Sequence, residues 1–159
     1  MYSEKHLKDL QDGLSELNGK YEELLVGFVG RKYSNAKAQE HASQGFARRL
    51  RILKKSIENV FELLPPERID VPEPDQIADA TINIHAFLFN VFGSLDNLAW
   101  VWVHEQNVVD DDGEPLRPLQ VGLGSKCKFV RASFHSDFQG YLKTLDRWFK
   151  GMEEFRHAL

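Results

Sequence analysis

The sequence predicts an all-α protein: a bundle of four main helices with a long N-terminal helical hairpin. Three observations carry that expectation. Leu7, Leu10, Leu14, Leu17, Tyr21, Leu24 and Phe28 alternate steps of three and four residues, the seam of an amphipathic helix. Phe46, Leu50, Leu53, Ile57, Val60 and Leu64 repeat the rule. Ile77, Thr81, Ile84, Leu88, Val91, Leu95, Leu98 and Trp102 form a third seam, with Phe89, Phe92, Ala99 and Val103 beside it. A helix apolar most of the way round belongs at the centre of its bundle.

The elements follow in chain order. Ser3 is the expected N-cap of the first helix, with Glu4 in its first turn. Gly27, Gly30, Ser34 and Asn35 weaken the helix and predict a turn. The Pro65-Pro66 pair stops the second helix, because proline lacks the N–H that a helix interior needs. Residues 1–64 therefore read as a heptad hairpin, and 65–75 (PPERIDVPEPD) as a proline-rich acidic linker. Residues 76–106 form the central helix, and 107–135 a loop region that opens with DDDGEPLRP. Within it, 119–134 leaves loop, short helix and strand open. Ser136 is the expected cap of a C-terminal helix over 136–159, whose seam is Phe138, Leu142, Leu145, Phe149, Met152 and Phe155. All of this fits one domain spanning 1–159.

Composition narrows the functional classes. With 159 residues, 42% hydrophobic and 28% charged, the chain matches an ordinary globular protein and can bury a core without disulfide or metal staples. Cys127 is the sole cysteine, which excludes an internal disulfide and a cysteine-cluster metal site. MYSEKHLKDL lacks the apolar core of a secretory signal. Asp79, Asn83, His85, Asn90, Asp96 and Asn97 interrupt the apolar stretch 77–103, so a lipid-facing span is not expected. These features predict a cytoplasmic protein without a membrane partner.

The net charge of −4 hides an asymmetry. Residues 1–64 carry eleven basic against nine acidic side chains, 65–114 one against eleven, and 115–159 eight against four. Residues 31–55 hold Arg31, Lys32, Lys37, Arg48, Arg49, Arg51, Lys54 and Lys55 against Glu40 alone. Such a strip attracts a phosphate backbone, or it is a solvated face answering the acidic middle segment.

Asn83, Asn90, Asn97 and His104 recur every seven residues along the central helix. Seven residues are two turns less about 20°, so the four share one stripe. Buried, they would bond neighbouring helices and fix register; alternatively Asp96 or Asn97 lines a polar cleft. The metal and nucleotide signatures are missing. There is no pair of Glu-x-x-His motifs, no His-x-x-x-His, no Gly-x-Ser-x-Gly and no phosphate loop. No metal or other cofactor is expected, although three histidines gathered from separate helices would escape a spacing test. Cys127, between Lys126 and Lys128, reads as an ordinary cysteine, with an activated thiol as the alternative.

The C-terminal WFKGMEEFRHAL ends an amphipathic segment on an Arg-His pair. In an all-α chain of this size, that pair resembles the motif of the HEPN superfamily, the higher eukaryotes and prokaryotes nucleotide-binding domains. There an arginine is followed by a polar residue, then by a histidine four to six positions after the arginine. Arg156 and His157 match the first two elements; the third would lie beyond Leu159. The segment IHAFLFNVFGSLDNLAWVWVHEQN is similar to the central helix of bacterial bundle proteins of that group. The resemblance implies a helical, commonly dimeric bundle acting as a metal-independent ribonuclease, or an inactive RNA-binding relative, in a bacterial toxin–antitoxin or anti-phage system. It implies catalytic roles for Arg156 and His157, with Asp96 and Asn97 orienting the catalytic groups, while Arg48, Arg49 and Arg51 attract RNA. The competing expectation is a non-catalytic helical protein–protein interaction module. In both cases the heptad seams predict a homodimer or larger homo-oligomer, or a partner protein bound through the N-terminal helices.

Overall fold

The computed structural model describes the backbone of residues 2–158 and side chains as far as Phe155. The described residues are 74% helical with no strand among them, so the protein is all-α. Helix α1 spans Glu4–Val29 and α2 spans Ala36–Glu40. A π-helical turn, His41–Phe46, leads without interruption into α3, Ala47–Leu63. These pieces make one rod over residues 36–63. Helix α4, Pro74–Gln106, is the longest at 33 residues. A 3₁₀ turn (Pro118–Gln120), α5 (Lys128–Ala132), α6 (Ser136–Thr144) and α7 (Asp146–Ala158) complete the chain.

Local chemistry explains most boundaries. The Ser3 side chain accepts from the His6 backbone N–H, the expected cap. Asn35 caps α2 by accepting from Lys37 N–H at 2.9 Å. The α3 helix ends before Pro65 as predicted. The central helix starts earlier than residue 76, because Pro74 fits the first turn and Glu73 with Gln76 forms a capping box. Asn107 closes it in the left-handed region at φ 51°. The acidic loop folds back through an isolated antiparallel bridge between Val109 and Pro115.

Two expectations need correction. The C-terminal segment is two helices broken at Leu145, which caps α6. Arg131 supports this corner by donating to the Leu142 carbonyl at 3.4 Å and to Asp146 at 2.6 Å. The cap of α6 is His135, whose ring accepts from Asp137 N–H, rather than Ser136. The open segment 119–134 resolves into loop and short helix.

The helices stack in layers. The rod lies between α1 and α4, and α4 also carries α7 on another side. On α1, Phe28 meets Phe46 with ring centroids 4.7 Å apart, and Tyr21 lies under the Lys54 ammonium at 5.4 Å. The two helices are thus antiparallel. No α1 residue is fully buried, and at its end the seam slips from Leu24 to Leu25, Leu24 being exposed. The main core joins Ala99 and Val103 of α4 to Leu116, Val121, Val130, Phe134 and Leu142. A smaller cluster packs Ala38 and Ala42 against Val101. By length and composition α4 alone among the described helices could cross a membrane. Its asparagines are instead bonded into the rod.

Candidate functional site

The polar stripe of α4 faces the rod. Asn59 donates to Asn83 at 2.8 Å, Arg49 Nη1 donates to Asn90 at 3.2 Å, and His41 Nδ1 lies 3.0 Å from Asn97 Oδ1. Asn83, Asn90 and Asn97 each donate their own amide N–H to the carbonyl four residues back on α4. That leaves each side-chain oxygen aimed at the rod. In this respect the stripe sets register, since the side-chain oxygens of its three asparagines each meet one partner on the rod.

At its upper end the stripe becomes a ring cluster. His41 stacks on Trp100 and His104 at 5.6 and 5.5 Å, and Trp100 stacks on His104 at 5.2 Å. Because the Asn97 amide N–H is spent on Gly93, its oxygen accepts, and His41 carries its proton on Nδ1. Burial, then the neighbouring His41 and Lys37 charges, hold His104 below its ordinary pKa. Its neutral form is therefore favoured. His41 and Trp100 escaped the sequence reading. His41 is aimed by the π turn, which no seven-residue spacing anticipates; Trp100 was legible only as one step of a mixed apolar face.

The other side of α4 has different chemistry. Asp96 is exposed there and its charge reaches Cys127. Burial pushes the Cys127 thiol up, and Asp96 adds to the effect; the activated-thiol alternative has no support. Next to Cys127, Lys126 pairs with Glu153 of α7 at 3.0 Å. Asp96 and the second half of α7 thus share one side of the molecule. Asp96 and Asn97 diverge by about 100°, as neighbours on a helix must, so they do not converge on one group.

Comparison with known protein families, curated proteins and solved structures finds no match for this chain. The site must be read from its own chemistry. Arg156 and His157 belong to the last turns of α7, and their side chains lie outside the described residues. Arg48 and Arg51 are exposed on α3. Arg49 is not available with them: its guanidinium crosses to Asn90 and lies against Gly93, where any Cβ would collide with it. No group of three or more histidine, cysteine, aspartate or glutamate side chains suited to a metal occurs among the described residues.

Proposed function

We propose that the chain acts on RNA, as a HEPN-like metal-independent ribonuclease or as an RNA-binding relative of one, in a bacterial toxin–antitoxin or anti-phage system. The observation supporting this reading is the common side of α4 shared by Asp96 and α7. Glu153 pairs with Lys126 beside Cys127, and Arg156 and His157 follow Glu153 by three and four residues in the sequence. In the proposed reaction, Arg156 holds the phosphate as a permanent cation and His157 moves a proton. Asp96 orients the histidine. Asn97, committed to His41, serves structure instead. Arg48 and Arg51 draw in the backbone from the rod.

The test is incubation of the full-length gene product with end-labelled single-stranded RNA in EDTA. Cleavage leaving a cyclic phosphate, lost in Arg156→Ala while the far-ultraviolet spectrum is unchanged, is the expected result. Intact RNA together with no salt-sensitive RNA binding would overturn it.

A second reading, a non-catalytic helical interaction module, has its own observation. Ile77 with Ile84, and Ile82 with Phe89, form two stripes on the first half of α4, exposed at 46, 44, 64 and 50%. They flank the asparagine face covered by α3. Exposed apolar stripes of this kind mark association surfaces, and here they support a homodimer. Absence of any RNA interaction combined with a stable dimer would favour this reading over the first.

A further inference from the structure

The end of α1, the last turns of α4 and the α5–α6 corner enclose a cavity of about 400 Å³. Phe28, Tyr33, Trp102, Phe134 and Phe138 give it aromatic walls, joined by Leu98, and Gln106 and His135 also line it. The polar atoms of the aromatic walls are already used internally. Tyr33 donates its hydroxyl to the Phe28 carbonyl at 2.7 Å, and Trp102 donates its indole N–H to Ser133 Oγ at 2.9 Å. Glu105, also on the lining, turns its oxygens to the start of α2, accepting from Asn35 N–H at 2.8 Å and from the Ser34 hydroxyl at 3.1 Å. Arg31 differs. It lines the same cavity, is exposed, and makes no hydrogen bond or ion pair among the described residues, its charge acting at longer range on Glu105 and Tyr33.

Ligand sites are concave and mainly apolar, with a few polar groups that orient the ligand, and typically enclose about 300–1,000 Å³. This cavity has that size and that balance. We infer that it binds a small flat aromatic molecule carrying one anionic group. The rings lie against Trp102 and Phe138, and the anion meets the Arg31 guanidinium. An aromatic wall favours a planar ligand through offset or edge contacts. A guanidinium favours carboxylate or a similar oxyanion, because its N–H groups match two oxygens at once. The site lies apart from the Asp96–α7 side and does not depend on the RNA reading.

The probes are 2-naphthoate and 2-naphthol, which share a ring system and differ in charge. Each is titrated into the isotopically labelled chain while the Trp102 indole N–H and the Phe138 ring are followed by nuclear magnetic resonance. Saturable binding of both is expected, with naphthoate about tenfold tighter, the scale of one charge-assisted hydrogen bond. Arg31→Ala should remove that difference and leave naphthol unaffected. Leu98→Trp should block both probes. If that variant does not fold, Phe138→Ala, at an exposed ring, should weaken both severalfold. Absence of any shift at Trp102, equal affinity of the two probes in the unaltered chain, or binding indifferent to these cavity variants would overturn the assignment.

Discussion

Gly45 sits directly against the side-chain amide of Asn97, with no room between them for a Cβ. This approach falls in the π turn, and one register connects it to the rest of the interface. Going fourteen residues along α4, from Asn83 to Asn97, goes fourteen back along the rod, from Asn59 to Gly45. Arg49 and Gly93 are facing positions in the same register. A larger residue at 45 would have to displace Asn97, which two hydrogen bonds hold in place.

Gly45→Ala should therefore destabilise the fold by about 1–3 kcal/mol, the usual cost of overpacking. Helix propensity alone predicts the opposite sign, a gain of about 1 kcal/mol. Gly13→Ala and Gly19→Ala on α1, where a Cβ meets nothing within 4 Å, should show that gain. Urea unfolding of the three variants checks the contrast.

The three candidate RNA-binding arginines should separate. Arg49→Ala removes the bond to Asn90 and uncovers the α3–α4 interface, with an expected loss of about 1–3 kcal/mol. Arg48→Ala and Arg51→Ala should stay within about 0.5 kcal/mol, as exposed substitutions do. If the chain binds RNA, these two should instead flatten its salt dependence. Thermal melts beside filter binding at several salt concentrations distinguish the roles.

His104 makes stability depend on pH in a definite direction. Its folded pKa lies below the ordinary 6.5 because of burial, then His41 and Lys37, so the unfolded chain takes up the proton first. The contribution is complete above about 6.5, declines as pH falls through that value towards the lower folded pKa, and then levels off. Measured by urea unfolding from pH 7.5 to 5, the unaltered chain should lose stability relative to His104→Gln as pH falls.

The exposed stripes of α4 give an association prediction. Phe89→Glu should convert a dimer into a monomer while leaving the helical content intact, because Phe89 is half exposed in the single chain. Light scattering at tens of micromolar reads the mass directly. A monomer before substitution would count against the homodimer reading.

Helices were legible wherever a single periodicity operated. The seams of α1, α3 and α4 appear in the order of their leucines, and the stop at Pro65 follows from backbone chemistry. Long-range partners were less legible. The sequence places Arg49 beside Arg48 and Arg51, but a helix sends neighbours about 100° apart, so only the fold reveals that one arginine turns inward. The π turn at His41–Phe46 brings both His41 and Gly45 against Asn97, and a seven-residue count made on either helix alone cannot register that approach. The break at Leu145 was hidden for a similar reason: Leu142, Leu145 and Phe149 keep helical spacing across a corner supported by Arg131, far from them in composition and close in space.

The shallow packing of α1 gives the molecule two tiers of cooperativity. A helix of 26 residues with no fully buried side chain is held by partly buried leucines (Leu7, Leu10, Leu14, Leu17 and Leu25), the Phe28–Phe46 contact and the cation over Tyr21. Its amides should exchange with deuterium through local detachment, orders of magnitude faster than those near Ala99 and Val103, which open only when the whole domain unfolds. Detachment of α1 on its own would expose the apolar side of α3 to a different helix while the rod and α4 remain joined.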